Sequence, residues 1–245
     1  MDNPDLSIVV PVYNETHRLA EGLQQILAFM DASSLRCELV LVDDGSADDT
    51  AAKVEAGIAG RDEARLLRLP RNRGKGAAVK EGMLAARGEV RLFTDIDLSV
   101  PIAEAERFVA KIRAGNNVVI GTRKVEASNV EVYQPKYRRM LGEVFRQFTL
   151  RLFTPTLSDI TCGFKAFSAS AAQKVFAPSA IERWSFDAEI LFLALRYGMR
   201  VAEVPVTWRN NPETKVRLAV DLPRSLLELL RIRWNWLVGR YPRAI

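Results

Sequence analysis

The sequence predicts an α/β protein, with a mostly parallel central sheet and helices packed on both of its faces. Apolar, β-branched runs alternate with helical patterns, and a polar segment follows each run. The runs are apolar throughout, as expected for strands that are buried on both sides. With 245 residues, 48% of them hydrophobic, the chain is long enough for one large domain, so we expect a three-layer sandwich.

The first two strands are predicted at residues 6–12 (LSIVVPV) and 37–43 (CELVLVD), with an amphipathic helical pattern between them. This order is typical of a β-α-β unit, whose two strands are parallel. The clean alternation is lost after about residue 125, and we expect this second half to complete a site rather than to form a separate domain. Further elements are predicted as strands at 65–69, 89–93 and 117–121, and as helices around 77–86 and 102–114.

Polar segments follow four of the predicted strands: YNE, DDGSADDT, PRNRGKG and TDIDLS. In an open parallel sheet, ligands bind at the carboxyl ends of the strands. We therefore expect these four segments to converge on one edge of the sheet and to form the functional site.

The segment TDIDLS, which follows the predicted strand 89–93, contains two carboxylates, Asp95 and Asp97. Hard oxygen ligands of this kind suit Mg²⁺ or Mn²⁺, which takes one or two carboxylates together with phosphate oxygens and water. Helix capping is the alternative, but Ser99 before Pro101 already offers a capping group, so capping leaves both acids unexplained. An EF-hand loop is disfavoured because the required glycine is missing. A D-x-D triplet by itself is a weak signal.

Asp43 and Asp44 leave the second strand at the same edge, where a carboxylate can accept a hydrogen bond from a base or a ribose hydroxyl. In the segment NRGKG, Arg73 and Lys75 lie among glycines that open a helix, a pattern that suits a phosphate. The segment is not a Walker A loop, and Val79 stands where a dinucleotide fingerprint needs its third glycine. A Rossmann dehydrogenase is therefore disfavoured.

The formal net charge is +5, which favours anionic partners such as phosphates, nucleic acid or a membrane surface. Nucleic acid is disfavoured, because four carboxylates at one edge would repel a phosphate backbone. Only Cys37 and Cys162 are present, and neither belongs to a CxxC pair, which disfavours a disulfide framework or structural zinc and indicates a reducing compartment. His17, the only histidine, is interpreted as a solvated helical residue rather than a catalytic base.

Seven motifs in order give the chain a resemblance to a known family. VVPVYNE, VDDGSADDT, NRGKG and DIDLS resemble the inverting family 2 glycosyltransferases, which have the GT-A nucleotide-sugar fold. DITCGFKAF (159–167) and ERWSFDAEILFLA (182–194), followed by VAEVPVTWRNNPETKVR (201–217), resemble the dolichyl-phosphate β-glucosyltransferase branch, which is related to the mannose synthases. The resemblance covers roughly residues 6–235.

This resemblance implies a single GT-A domain over residues 1–245, with a nucleotide-sugar-binding half (1–124) and an acceptor-binding half (125–245). It implies an inverting transfer of glucose from UDP-glucose to a dolichyl or polyprenyl phosphate, with Mg²⁺ or Mn²⁺. GDP-mannose as the donor, or a soluble sugar as the acceptor, are the alternatives. Mannose synthases often have glutamine two residues after the D-x-D motif, and Ser99 in this position favours the glucosyltransferase branch.

The resemblance also implies roles for individual residues. Asp97 would hold the metal with Asp95, and Asp95 would also touch the ribose or the sugar. Lys215 matches the lysine of a GSK motif, although this chain has ETK after Pro212, which puts the loop geometry in question. Arg123 and Arg139 match arginines near the acceptor or the diphosphate. The nucleotide sugar would be bound by Pro11, Tyr13, Glu15, Asp43 or Asp44, Lys75, Asp95 and Lys215.

The acceptor determines whether the reaction needs a general base. A phosphate monoester has a second pKa of about 6 and is already largely ionised, so it hardly needs one. For a sugar acceptor, Asp159, Asp187 and Glu189 would be base candidates. For a lipid phosphate we expect Asp187 and Glu189 to orient arginines or the acceptor loop, with a helix-start cap as the alternative for Asp187.

A lipid acceptor requires a membrane surface, and two segments, 137–153 and 223–241, combine an apolar stripe with flanking arginines. For 137–153, packing of the stripe on the sheet is an equally good interpretation. For 223–241, two tryptophans and four arginines favour the membrane. The first residues lack a signal-peptide pattern, and no run approaches the ~18 apolar residues of a spanning helix. We therefore expect a cytoplasmic protein that associates peripherally with the cytoplasmic face of a membrane.

Overall fold

The computed structural model describes residues 3–123, 129–130, 147, 153, 156–209 and 218–242. A seven-stranded sheet forms its centre, with the strand order β3-β2-β1-β4-β7-β5-β8. The strands are β1 (Leu6–Val12), β2 (Cys37–Asp43), β3 (Ala64–Arg68), β4 (Val90–Phe93), β5 (Val118–Thr122), β7 (Lys165–Ser168) and β8 (Val201–Pro205). A separate two-stranded pair joins β6 (Asn129–Val130) to β9 (Thr207–Trp208).

Helices cover both faces of the sheet, as the sequence predicted. Within β1, Val9 packs into one core cluster while Ile8 and Val10 pack into the other, because successive side chains of a strand point to opposite faces. The helices are α1 (Leu19–Ala32), α2 (Thr50–Gly57), α3 (Lys75–Ala85), α4 (Ala105–Arg113), α5 (Ala169–Phe176), α6 (Phe186–Arg196) and α7 (Leu218–Leu237), with a 3₁₀ turn at Ile102–Glu104. The predicted three-layer sandwich with a mostly parallel sheet is confirmed.

One strand runs against the others. β7 is antiparallel to both β4 and β5, while the pairs β1–β2, β1–β4, β2–β3 and β5–β8 are parallel. Because β7 is inserted between β4 and β5, the segment that leads into it arrives at the carboxyl end of β4. Residues 159–164 of the second half are thereby brought to the strand end that carries Asp95 and Asp97.

Two close approaches fix helices against this edge. A Cβ atom on Gly82 of α3 would lie 2.4 Å from Cγ1 of Val9 and 2.8 Å from Cγ2 of Val42, so α3 packs directly on β1 and β2. A Cβ atom on Gly22 of α1 would lie 1.9 Å from the carbonyl oxygen of Ile96. Only glycine allows α1 to pack this closely against the turn between Asp95 and Asp97.

Candidate active site

Asp43, at the end of β2, has two carboxylate oxygens with different surroundings. Its Oδ1 accepts a hydrogen bond from the backbone N–H of Ser46 at 3.0 Å. Its Oδ2 is buried and has no hydrogen-bond partner among the described residues, and the Nε atom of Arg68 lies 3.8 Å away. A buried carboxylate oxygen without a donor costs free energy, so Asp43 is ready to accept a hydrogen bond from a ligand.

Asp44 has a different role, because both of its carboxylate oxygens accept hydrogen bonds from the following loop. Its two oxygens accept hydrogen bonds from Asn72 Nδ2 at 2.9 Å and from the backbone N–H groups of Arg73 and Gly74 at 2.8 Å. Burial raises the pKa of Asp44 in spite of these donors. Gly74 has φ +115°, a conformation that favours glycine, and α3 begins at the next residue. Of the two acids that the sequence offered for the nucleoside, the geometry favours Asp43.

Lys75 and Asp95 form an ion pair at the ends of two different elements. The distance from Lys75 Nζ to Asp95 Oδ1 is 2.6 Å. Burial alone would lower the pKa of Lys75, but the charges of Asp95 and Asp187 raise it, so the ammonium form is stabilised. Gly163 closes the other side of Asp95, since a Cβ atom there would lie 2.4 Å from Asp95 Oδ2.

Asp97 lies in a tight turn, and its two carboxylate oxygens have different surroundings. Its Oδ1 accepts hydrogen bonds from the backbone N–H and the hydroxyl of Ser99, both at 3.0 Å. Its Oδ2 is 3.9 Å from Arg18 Nη1. Ser99 therefore supports Asp97 and does not cap the following helical turn, which has no side-chain cap. Leu98 has φ +46°, and strained backbone of this kind concentrates at functional sites.

The residues after β1 lie at the same edge. The backbone of β1 pairs Pro11 with Val42 of β2, and Tyr13, which follows the strand, is half-buried. The carboxylate of Glu15 accepts two hydrogen bonds from Arg18, at 2.8 and 2.9 Å. Glu15 therefore orients the arginine that approaches Asp97.

Asp159 and Arg123 form a buried bidentate pair. Arg123 Nε and Nη2 donate to the two carboxylate oxygens of Asp159 at 2.7 and 3.0 Å, and the guanidinium lies 5.2 Å from the ring centroid of Trp208. Burial would raise the pKa of Asp159, but the charge and hydrogen bonds of Arg123 lower it to about 2. A carboxylate so strongly stabilised in its ionised form is a poor proton acceptor, so Asp159 serves to hold Arg123.

Asp187, in the first turn of α6, pairs with a lysine rather than with an arginine. Lys165 is completely buried and donates to Asp187 Oδ1 at 2.5 Å and to the carbonyl oxygen of Cys162 at 2.6 Å. Burial raises the pKa of Asp187 against the opposing charges of Lys165 and Lys75. Lys165, Asp187, Lys75 and Asp95 thus form a series of charges of alternating sign. Their interactions link β7, α6 and α3 to the end of β4.

Glu189 is fully buried and uses both oxygens within the protein. It accepts hydrogen bonds from the backbone N–H groups of Ala180 and Ile181 at 2.9 to 3.0 Å and from the Tyr241 hydroxyl at 2.5 Å. The sequence offered Glu189 as a residue that contacts an acceptor or acts as a base. Because its carboxylate has no exposed surface, we interpret it instead as the residue that positions the segment around Ala180.

The stripe on α7 faces outward. Leu226, Leu230, Trp234 and Leu237 are 39, 63, 62 and 71% exposed. This stripe therefore does not pack on the sheet. In the part of the chain that the structure describes, no helix is both long and apolar enough to cross a bilayer.

Some predicted residues lie outside the part of the chain that the structure describes. They are Arg139, Lys215 and nearly all of the predicted stripe at 137–153.

Four residues of this arrangement were not predicted: Arg18, Gly163, Lys165 and Tyr241. Lys165 had a signal, because a lysine inside the apolar run GFKAF requires a buried partner. The other three had none, since their roles depend on contacts with residues far away in the sequence.

A metal at this edge would have to share its ligands with a substrate. Within the described ranges there is no group of three or more His, Cys, Asp or Glu residues that could hold a metal ion. The partly exposed carboxylates of Asp97 and Asp95 offer hard oxygen ligands, and Lys75 already engages Oδ1 of Asp95. This donor set fits a Mg²⁺ or Mn²⁺ ion that takes one or two carboxylates and completes its shell with phosphate oxygens and water.

Comparisons with known proteins identify the neighbours of this chain. The model of glycosyl transferase family 2 matches residues 7–176. A dolichyl-phosphate β-glucosyltransferase of Dictyostelium discoideum is 34% identical over 98% of this chain and 77% of its own length. The enzyme of the same description from Saccharomyces cerevisiae is 32% identical over 96% of this chain and 76% of its own length.

Solved structures with the same fold include two of glucosyl-3-phosphoglycerate synthase from Mycobacterium tuberculosis. The complex with UDP has a TM-score of 0.70 at 18% identity, over 94% of this chain and 80% of that one. The complex with Mg²⁺ and UDP has a TM-score of 0.68 at 19% identity, over 98% of this chain and 80% of that one. At this level of identity the likeness establishes the fold alone.

Proposed function

This chain belongs to glycosyltransferase family 2, and from that premise we propose that it transfers glucose from UDP-glucose to a dolichyl or other polyprenyl phosphate, with inversion at the anomeric carbon. It is a glycosyltransferase with the GT-A fold. The relatives that are about one-third identical over nearly the whole chain are dolichyl-phosphate β-glucosyltransferases, which supports the donor sugar and the lipid acceptor.

One observation carries the proposal: Asp43, Lys75, Asp95 and Asp97 follow three strands whose carboxyl ends lie at one edge of the sheet, and Lys75 and Asp95 form an ion pair there. The unpartnered Oδ2 of Asp43 suits a donor on the nucleoside, such as a base imide or a ribose hydroxyl. The ammonium group of Lys75, at the N-terminus of α3, suits the diphosphate. Because Asp44 holds the loop that precedes Lys75, the backbone position of Lys75 is fixed.

Mg²⁺ or Mn²⁺ would be held by Asp97, with Asp95 as a second ligand, in agreement with the donor chemistry of these carboxylates. When bound, the ion would stabilise the negative charge that develops on the departing nucleoside diphosphate. Glu15 holds Arg18 beside Asp97, and Gly163 and Lys75 hold Asp95 from two sides. These contacts fix the carboxylates before a substrate arrives.

Arg123 is the candidate for contact with the acceptor phosphate. Asp159 and Thr161 accept hydrogen bonds from its guanidinium group and fix its orientation. The Arg123 side chain is 20% exposed, so part of it can reach a ligand. Because the acceptor phosphate is already ionised, its oxygen can attack the anomeric carbon directly. The engagement of Asp159 by Arg123 and the complete burial of Glu189 agree with a reaction that needs no general base.

We propose a peripheral location at the cytoplasmic face of a membrane, and the outward stripe of α7 supports the attachment to a membrane surface. Four large apolar side chains in one helical stripe are costly in water, and arginines flank them. A polyprenyl phosphate would remain in the bilayer while its headgroup reaches the edge of the sheet.

Transfer of labelled sugar tests the proposal directly. The protein is incubated with a polyprenyl phosphate and either UDP-glucose, GDP-mannose or UDP-N-acetylglucosamine, with Mn²⁺ or with a chelator. We expect lipid-linked product from UDP-glucose in the presence of metal and none with the chelator. Product from GDP-mannose alone would establish the alternative donor, and product only on a soluble sugar would establish the alternative acceptor. Absence of lipid-linked product with every donor would overturn the proposal.

Asp97→Asn tests the metal role with little change in shape. The amide oxygen still accepts the Ser99 hydrogen bonds, while the ligand charge is lost, so we expect transfer to fall about 100-fold with an unchanged melting temperature. Asp62→Asn removes an equal charge from an exposed position before β3 and should leave transfer unaffected. Near-normal transfer by Asp97→Asn would contradict the metal role.

A further inference from the structure

A basic cavity of about 440 Å³ lies between α7 and the loop that precedes α3. Its walls come from three parts of the chain: residues 71–73, residues 180–183 and the N-terminal half of α7. Arg71, Arg73, Arg183, Arg224 and Arg231 line it, together with Glu182 and Glu228. Five arginines against two glutamates leave an excess of three positive charges in one concave surface.

The carboxylates in and near this cavity engage only part of its positive charge. Arg73 pairs with Glu182 at 2.6 Å, and Arg224 lies 3.6 Å from Glu228. Arg71, Arg183 and Arg231 have no carboxylate within 4.0 Å among the described residues. Guanidinium groups on different walls of one cavity can donate several hydrogen bonds to a single phosphate, an anion whose geometry their planar fork matches.

The cavity adjoins the exposed apolar surface of α7 through Leu227. Arg224, Glu228 and Arg231 are spaced by four and three residues along α7, so they lie on one side of the helix. Leu227, which is 67% exposed, is three residues from Arg224 and four from Arg231 and therefore adjoins both. Leu227 is also three residues from Leu230 of the stripe. A surface that covers the stripe would thus extend over the flank that carries the cavity arginines.

The cavity adjoins the candidate active site, because Asn72 and Arg73 in its wall are hydrogen-bonded to Asp44, but its lining is different. Arg73 turns toward Glu182 in the cavity wall, whereas Lys75, two residues later, turns toward Asp95. Neither Asp43, Asp95 nor Asp97 lines the cavity. Glu189 ties its 180–181 wall to Tyr241, so the cavity is built on ordered backbone.

We propose that this cavity binds the phosphate group of an anionic membrane lipid, distinct from the glycosyl acceptor, while the adjoining stripe of α7 inserts among the acyl chains. The proposal rests on the membrane location of α7 given above, and on no step of the transfer reaction. The bound headgroup would fix the orientation of the enzyme on the bilayer, with α7 parallel to the surface.

Vesicle binding without donor or acceptor tests this proposal independently of glucose transfer. The full chain is sedimented with phosphatidylcholine vesicles that do or do not contain phosphatidylglycerol. Arg71→Gln removes one positive charge from the loop wall of the cavity, and Arg231→Gln removes one from the α7 wall. Neither change leaves a carboxylate unpaired. We expect each to weaken binding to the anionic vesicles about fivefold to tenfold. Melting temperatures establish that the variants fold.

Arg240→Gln is the matched control, because Arg240 is an exposed arginine just beyond the end of α7 and outside the cavity. We expect it to weaken binding less than about twofold. Equal losses of vesicle binding in all three variants would show a diffuse attraction between positive charge and the anionic membrane, and would contradict a binding site in the cavity.

Calorimetric titration with inorganic phosphate distinguishes a lipid phosphate from free phosphate as the bound anion. If free phosphate binds tightly and Arg231→Gln abolishes that binding, the cavity is a site for a soluble anion, and the proposal of a lipid phosphate is overturned.

Discussion

At the scale of single residues, neighbouring acids of the same type have different tasks because different groups surround them. Asp43 keeps one buried oxygen that accepts no hydrogen bond from a described residue, while both oxygens of Asp44 accept hydrogen bonds from the next loop. Asp159 is held ionised by Arg123, and Glu189 is shielded by backbone N–H groups and Tyr241. The sequence predicts that acids collect at this edge, but hydrogen-bond partners decide what each one does.

Tyr241→Phe tests the buried contact with Glu189. Removing the hydroxyl takes one donor from a fully buried carboxylate, so we expect the free energy of unfolding to fall by about 1.5 to 3 kcal/mol. Urea denaturation measures it. Tyr197→Phe is the control: its hydroxyl is buried without a partner among the described residues, so its removal should change stability by less than about 0.5 kcal/mol. Equal losses in the two variants would contradict the role given to Tyr241.

Asp159→Asn tests the pair with Arg123 through its pH dependence. The pKa of Asp159 in the folded protein, about 2, is below the ordinary 3.8, so its contribution is complete above pH 3.8 and is lost as pH falls toward 2. By linkage this contribution is on the order of 2 kcal/mol. We expect the gap in unfolding free energy between the wild type and Asp159→Asn to be constant at neutral pH and to narrow below about pH 4. Urea unfolding at a series of pH values measures the gap, and a gap that does not narrow would refute the assignment.

At the scale of elements, α7 has one buried and one exposed face. Ile232 and Leu229 are buried against the core, while Leu230 and Trp234 face outward. Helical spacing in the sequence predicts the stripe, because side chains three and four residues apart share a face. It does not say what covers that stripe, which depends on how the helix packs on the rest of the fold.

Ile232→Ala and Leu230→Ala compare the two faces of α7. Ile232 is fully buried, so we expect its truncation to lower the free energy of unfolding by about 2 to 4 kcal/mol. Leu230 is 63% exposed, so the same truncation there should cost less than about 0.5 kcal/mol. Chemical denaturation in the absence of lipid measures both. A large loss for Leu230→Ala would mean that the stripe is packed in the soluble protein.

At the scale of the whole molecule, the site joins distant parts of the chain. The insertion of β7 between β4 and β5 brings Gly163 against Asp95, and α6 brings Asp187 within electrostatic reach of Lys75. The second half thus completes the site that the first four strand ends begin. The predicted division at residue 124 stays a prediction, but these contacts join residues from both sides of it.

Gly163→Ala tests this long-range contact. The new methyl group would lie 2.4 Å from Asp95 Oδ2, and the short carboxylate side chain must move, which disturbs its pairing with Lys75. We expect transfer to fall at least about tenfold, with the fold intact by circular dichroism. Gly57→Ala is the matched control, since its methyl would meet only the flexible end of Leu23, 2.6 Å away and remote from the site. Unimpaired transfer by Gly163→Ala would refute the role of this contact.

The sequence by itself determined the strand and helix alternation, the sheet edge that carries the site and the acids that gather there. These features follow from local patterns: apolar runs form buried strands, and polar turns follow them. Only the tertiary structure decided that β7 runs antiparallel between β4 and β5, that Lys165 meets Asp187, and that Asp159 neutralises Arg123. Each of these contacts joins residues more than twenty positions apart, and the balance of packing and buried charge that selects it acts only when the whole chain is folded.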